Sequence, residues 1–434
     1  MEDKTYINEL KIDSKLTYIR DTTYDGIIHA KQEGKKVAWA FGNLGVSHLL
    51  TSQGISMIGL GPNSSLNALR GGIKQVIPAA EAAGCSPEQC SMGKIAIGGC
   101  VLVAEGRGDE IQSDCRVPRA DFAVLQSGCP VQIYIGHNIK QIYNIPVFEL
   151  DTPLFYELPW VGNGRAEGPE WERTCRYVVE QLKDFIVFLE EMMGHSYDWD
   201  ALRQELINVK KTSIIRKRIL DKYGKAIPSP LSWFDMRHLQ SLTSGLQKRS
   251  ESEVLDFWES VEREVAERVR NGIGSVKNER FRLCWVGFEV YFKTEALKHF
   301  FASHGATIVT VDLMPNFYHD DVDPNHPLES LAREILLTRE HAMPSEEFFL
   351  KRRLDQMKLV APIHGIVFHL SRTCRAEAVH MLHRAEIFKE KTGIPCVCLD
   401  MDICDPQWYN DRQVESKIQT FLEILEGMKP WMPS

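Results

Sequence analysis

The chain has 434 residues, of which 44% are hydrophobic and 25% charged, and its formal net charge is -8. That is too long for a single core and points to two or three domains of ordinary globular composition. The acidic balance argues against nucleic acid as a partner, no stretch is apolar enough to span a membrane, and the polar opening is no secretory signal, so the cytoplasm is the expected compartment.

In chain order, residues 1–34 read as a polar N-terminal helical arm. Apolar runs at 36–41 and 54–62 predict two strands. Gly42, Asn43 and Gly45 follow the first and Pro62 closes the second, where a backbone turns sharply or approaches a ligand; plain turns explain these residues as well. A helix over 75–83 leads to Cys85 and Cys90. A strand ending before Cys129, a helix and a strand over 145–151 complete a first α/β domain, 35–165. Long charged amphipathic helices such as 171–193 and 253–269, broken by Pro228 and Pro230, predict a helical connector or dimer-forming module over 166–275. A second α/β domain, 276–434, has strands at 280–286, 306–312, 364–371 and 394–400 and a last helix over 411–428. Strands alternating with helices imply parallel sheets with right-handed crossovers.

One unit occurs twice. An apolar run ends Ser127-Gly-Cys129, a helix follows, and the next strand opens Ile145-Pro146 and closes Leu150-Asp151; later a run ends Ser371-Arg-Thr-Cys374, and the next strand opens Ile394-Pro395 and closes Leu399-Asp400. Both cysteines stand at the carboxyl end of a strand, the edge at which open α/β sheets bind ligands. Most of the 11 cysteines read as buried small hydrophobes, including Cys396 and Cys398 inside an apolar run, and a reducing compartment argues against disulfides.

Weaker patterns lose to bland readings. His380 and His383 share a helix face without a completing acid or cysteine, so a solvated or packed pair is favoured. Asp320, Asp321 and Asp323 lack the glycine and closing glutamate of a calcium loop. Neither a phosphate-binding Gly-x4-Gly-Lys-Ser/Thr nor a Gly-x-Gly-x-x-Gly after a strand is present.

The segment from Phe368 to Cys374, the helix running to Thr392-Gly-Ile-Pro395, and residues 399–406 resemble the second domain of the 2-hydroxyacyl-CoA dehydratase and benzoyl-CoA reductase family. Residues 82–90, 120–129 and 323–328 are similar to it as well. The resemblance runs from about residue 36 onward, and in length and gaps it is closest to the B subunits of ATP-dependent benzoyl-CoA reductases. It implies two Rossmann/flavodoxin-like parallel-sheet domains joined by the helical segment, with a [4Fe-4S] cluster in the cleft between them. By position the ligands would be Cys90, Cys129 and Cys374, leaving one iron open. It further implies a separate ATP-hydrolysing iron-sulfur activator as electron donor and a ketyl radical at the thioester of an acyl-CoA. The outcome would be loss of water from a 2-hydroxyacyl-CoA or reduction of an aromatic acyl-CoA. A homologous second subunit, or a second copy of the chain, would complete the enzyme.

One departure stands out. Many members carry an acidic residue after the proline that ends the second strand, and here Pro62 is followed by Asn63 and Ser64, so no carboxylate base is available there. Gly42, Asn43, Asn63 and Ser64 are expected to bind the substrate. His369 and Arg372 are expected to touch it during catalysis, or else to hold the Cys374 loop by hydrogen bonds. Two alternatives accompany this reading. One is a homodimeric [8Fe-9S] double-cubane protein drawing extra ligands from Cys85, Cys100, Cys115 or Cys404, and the other is a non-catalytic electron-transfer partner.

Overall fold

The computed structural model describes residues 6–11, 26–41, 44–153, 160–162, 165–241, 251–311, 322–338 and 346–433. Its framework is two four-stranded parallel sheets. In the first, β1 (Val37–Phe41), β2 (Ser56–Gly59), β3 (Phe122–Gln126) and β4 (Val147–Leu150) lie in the order β2-β1-β3-β4. A short antiparallel pair, β5 (Trp160–Gly162) and β6 (Arg165–Ala166), follows. In the second sheet, β7 (Phe281–Val286), β8 (Ala306–Val311), β9 (Gly365–Ser371) and β10 (Cys396–Met401) lie in the order β10-β9-β7-β8. Read from the other edge, this is the same topology as the first, so the repeat visible in β3-helix-β4 and β9-helix-β10 extends to the whole sheet.

The central strands are buried on both faces, as parallel strands covered by helices must be, and so read as near-continuous apolar runs. Val37 and Trp39 of β1 join Ile58 and Leu125 on one face, beneath the helices Leu60–Leu69, Ile73–Ala82, Ser91–Ala104 and Pro130–Tyr143. Ala38 and Ala40 face the other way, with Phe122 and Val124, against Leu44–Thr51, Pro169–Met193 and Pro327–Thr338. Each fully buried Phe or Leu here, such as Phe122 or Leu125, contributes roughly 1.5–3 kcal/mol.

The helical stretch does not stand apart from the sheets. Trp171, Val178, Leu182 and Phe185 of Pro169–Met193 belong to the first sheet's core. Phe257, Trp258, Val261 and Val265 of Glu251–Arg270 belong to the second's. Helix Trp199–Tyr223 spans both, with Leu202 and Leu206 in the first core and Ile215, Ile219 and Leu220 in the second. Of the N-terminal arm, Ile7 bridges to Val276 and Leu10 packs in the second core, while residues 26–32 form a helix beside the first sheet, with Ile27 in its core.

The second strand is shorter than the apolar run implied. It stops at Gly59, and Leu60 opens a helix with Pro62 as its third residue. A proline in a first helical turn removes an N–H that has no intrahelical partner there, so it marks the start of this helix, and Asn63 and Ser64 are helical.

Candidate metal centre

Three cysteines occupy the same structural position. Cys129 and Cys374 follow the equivalent strands β3 and β9 and are the cap residues at the N-termini of Pro130–Tyr143 and Arg375–Thr392; Cys90 is the cap residue of Ser91–Ala104. In both sheets β3 and β9 flank the point where the strand order reverses, which is where open α/β sheets bind ligands. Cys374 is buried, and Cys90 and Cys129 are partly buried.

Burial pushes the Cys90 thiol up to about 12, and the charges of Cys129 and Asp402 add to the rise, while the N–H groups of Met92 and Gly93 favour its thiolate. Burial likewise lifts Cys374 well above its ordinary range, helped by Glu377, Cys90 and Cys129 and opposed by the N–H of Glu377. Geometry brings the three helix starts together: the Ser91 N–H reaches Thr373, and Gly93 lies against Val131, so the helices that begin after Cys90, Cys129 and Cys374 meet at their N-termini. Among the described residues no three His, Cys, Asp or Glu are close enough to hold a single metal ion. The donor set fits a larger group such as an iron-sulfur cluster, whose ligands stand farther apart than those of one ion and are thiolates.

A polar relay joins the loops that carry Cys90 and Cys374. The Ser91 N–H donates to Thr373 Oγ1 at 3.0 Å, and the Thr373 hydroxyl and N–H both donate to Asp402 Oδ2, at 2.6 and 2.9 Å. The other oxygen of this fully buried carboxylate accepts from the N–H groups of Cys404 and Asp405, both at 3.1 Å. One turn into the same helix, Lys94 is fully buried and its ammonium donates to Asp405 Oδ2 at 2.8 Å, Glu81 Oε1 at 2.9 Å and the Pro87 carbonyl at 2.9 Å. Burial works against this charge, but the hydrogen bonds to Asp405 and Glu81 outweigh it and raise the lysine above its ordinary value. At the rim Arg375 faces Glu88 at 3.5 Å. Cys374, Ile403 and Cys404 pack into the first sheet's core, so the junction is apolar as well as polar.

His369 is completely buried. Its Nδ1–H donates to the Phe288 carbonyl at 2.6 Å, its ring lies 6.0 Å from that of Trp285, and burial lowers its pKa, so the imidazole is neutral. Arg372 is half exposed and grips Asp400 through two hydrogen bonds of 2.7 and 2.6 Å, with its guanidinium 5.6 Å from the Trp408 ring. Asn63 and Ser64 are buried. Asn63 Nδ2 donates to the Cys115 carbonyl at 3.0 Å, and the Ser64 hydroxyl lies 2.8 Å from the Leu60 carbonyl and 2.9 Å from that of Met92. Gly42 and Asn43 lie outside the described residues.

The remaining sequence candidates are placed elsewhere. Cys100 sits ten residues beyond Cys90 on one helix, about 15 Å along its axis, and with Cys115, Asn63, Trp39 and Tyr143 it lines a small cavity in the first core. His380 faces Glu346 at 3.4 Å. Asp323 accepts from His326 at 2.7 Å and from the Asn325 N–H; Asp320 and Asp321 lie outside the described residues. Sequence reasoning passed over Thr373, Asp402, Lys94 and Asp405. The available signal was Lys94, the sole charge in a 14-residue helix that is apolar after Ser91.

The copies of the repeat are not in the same register. Gln126 pairs with Leu150, which sets Ser127 opposite Asp151, and the Ser127 hydroxyl donates to that carboxylate at 2.6 Å; in the second copy Ser371 pairs with Met401, so Asp400 falls opposite Leu370 and its carboxylate turns to Arg372 at the rim.

Comparison with known proteins gives the family. The sequence profile described as 2-hydroxyglutaryl-CoA dehydratase, D-component, matches residues 47–425. The chain is 23% identical over 430 residues to lactoyl-CoA dehydratase subunit alpha of Anaerotignum propionicum, covering 96% of this chain and 97% of that one. It is also 23% identical over 433 residues to the (R)-phenyllactyl-CoA dehydratase alpha subunit of Clostridium sporogenes, covering 97% and 98%. A third relative, (R)-2-hydroxyglutaryl-CoA dehydratase subunit alpha of Acidaminococcus fermentans, is 23% identical over 316 residues, 72% of this chain and 61% of that one. With a family profile spanning most of its length, the chain belongs to the 2-hydroxyglutaryl-CoA dehydratase, D-component family.

Proposed function

We propose that this chain is the alpha-type subunit of a 2-hydroxyacyl-CoA dehydratase and that Cys90, Cys129 and Cys374 hold a [4Fe-4S] cluster between its two flavodoxin-like sheets. The observation that carries the reading is that the three cysteine-capped helix N-termini meet, through Ser91 on Thr373 and Gly93 against Val131. Dehydration is favoured over reduction of an aromatic ring because the relatives just described are named as dehydratase subunits. Their designation as alpha subunits supports a second subunit, and an ATP-hydrolysing activator would deliver the electron. The eleven free thiols suit the reducing cytoplasm.

Held by Cys90, Cys129 and Cys374, the cluster would supply low-potential one-electron chemistry at the thioester of a 2-hydroxyacyl-CoA. The chain's own residues set the surroundings. Lys94, paired with Asp405 and Glu81, and Asp402, held by N–H and hydroxyl donors, are both buried and hold the structure behind the cysteines. His369 positions the turn after β7 through Phe288 and stays neutral, and Arg372, half exposed at the rim, is the side chain on the Cys374 loop able to reach an acyl-CoA, once it leaves Asp400. Asn63 faces inward to Cys115, so proton transfer falls to the partner subunit or to the substrate's own leaving hydroxyl.

The test is iron and acid-labile sulfide per chain on protein purified without oxygen, followed by turnover of 2-hydroxyacyl-CoA thioesters with partner subunit and activator. About four irons per chain, lost together with activator-dependent turnover in Cys374→Ser, is the expected result. A chain without iron, or full turnover in Cys374→Ser, contradicts the ligand assignment, and about eight irons favours the double-cubane alternative.

A further inference from the structure

We infer that Thr373 is a positioning residue that fixes the separation of the Cys90 and Cys374 loops. This rests on the proposed cluster reading and goes beyond it. The two cysteines lie 284 positions apart in sequence and come from different sheets, so the backbone alone does not set the distance between them. Thr373 adjoins Cys374, and Ser91 adjoins Cys90. The Ser91 N–H to Thr373 Oγ1 bond of 3.0 Å therefore ties the two loops one residue away from each thiol.

The acceptor is held in turn. The Thr373 hydroxyl spends its single proton on Asp402 at 2.6 Å, which leaves its lone pairs directed at Ser91. Asp402 cannot turn away, because its two oxygens accept from three backbone N–H groups, those of Thr373, Cys404 and Asp405. All the groups involved are buried, Ser91 and Asp402 completely, so water cannot replace the bond and an unmade partner there is costly. A residue without the hydroxyl would keep the loop's shape and lose the tie between the sheets.

The Cys90 side offers an independent cut. Ser91 is the first residue of its helix, a position that tolerates proline, and Cys90 has φ -43° and ψ 120°, an extended conformation of the kind a following proline demands. Ser91→Pro thus removes the donor N–H and sets the ring Cδ where the hydrogen lay, so the tie is broken with the Thr373 side chain itself unchanged.

The experiment uses the full chain with its iron, purified without oxygen, exposed to excess of a strong iron chelator, with loss of the cluster's visible absorbance and release of iron followed in time. Thr373→Val and Ser91→Pro are expected to lose iron about ten-fold faster than the unmodified chain, and Thr373→Ser to stay within about two-fold of it, because serine restores the hydroxyl. Thermal unfolding of each metal-free variant separates the tie from general fold stability, which Thr373→Ser and Thr373→Val should share to within a few degrees. Loss of iron from Ser91→Pro and Thr373→Val at the unmodified rate overturns the inference while leaving the cluster assignment standing. An unmodified chain that binds no iron overturns both.

Discussion

Alanine at Gly98 should destabilise the first sheet's unit most, alanine at Gly93 should weaken it less, and alanine at Gly99 should do no harm. All three glycines lie on helix Ser91–Ala104. A Cβ at Gly98 would stand 1.8 Å from the Val76 carbonyl oxygen and 3.2 Å from the Ala80 nitrogen, both backbone atoms of helix Ile73–Ala82. Backbone cannot rotate away, so the two helices would have to part by more than about 1 Å across a contact packed at crystal-like density, a cost at or above the roughly 1–3 kcal/mol usual for overpacking. At Gly93 the obstacle is Val131 Cγ1 at 2.5 Å, on the helix that begins at Cys129. Valine is stiff at χ1 in a helix, so relief comes partly by moving that helix, at about 1–3 kcal/mol, and the movement shifts Cys129 relative to Cys90. At Gly99 nothing lies within 4 Å, and alanine should stabilise the helix by roughly 0.5–1 kcal/mol. Urea unfolding followed by far-ultraviolet circular dichroism gives the three free energies. A Gly98→Ala variant within about 1 kcal/mol of the unmodified chain would refute the packing argument, as would Gly99→Ala proving the worst of the three.

Two further changes probe buried charge. Lys94→Met strands the Asp405 carboxylate, which is 5% exposed, whereas Glu81, a third exposed, can turn to water; the expected loss is about 3 kcal/mol, the low end for a broken buried pair, and Asp405→Asn added to it should recover part, as read by urea unfolding. His48 meets Glu205 at 3.1 Å between helices Leu44–Thr51 and Trp199–Tyr223; burial opposes its charge, but the hydrogen bond it donates to Glu205 and the field of Glu334 prevail over that and over Arg216, so its pKa is raised above 6.5. A raised histidine contributes stability that is fully present below its ordinary 6.5 and lost as pH climbs through the higher folded value. Thermal stability should therefore fall across that window, and His48→Gln should flatten the fall.

The strand-helix-strand repeat was legible because parallel strands covered on both faces must be apolar runs, and Ile145-Pro146 and Ile394-Pro395 punctuate them alike. Cys129 and Cys374 could be singled out because each follows such a run directly. Pro62 misled because a proline after an apolar stretch signals a turn and a helix start equally well. The helices between the sheets look like a connector in sequence, where amphipathicity is visible but the surface they cover is not; in the fold they divide between two cores. The relay through Ser91, Thr373 and Asp402 could not be read at all. Its links join residues 282 and 29 positions apart, and short polar side chains carry no local pattern that names a distant partner.

Placing each thiol at the cap of a helix makes the site intolerant of slippage. An α-helix turns by about 100° per residue, so a cysteine moved one place into any of the three helices would swing its sulfur away from the other two. A single-residue deletion beside Gly128 or Arg372 should thus be as damaging as losing the cysteine itself. Insertions at segments remote from the three junctions, such as 194–198 between two helices, leave the convergence intact. The chain can vary its outer surface widely while the three strand-and-helix starts keep one fixed phase.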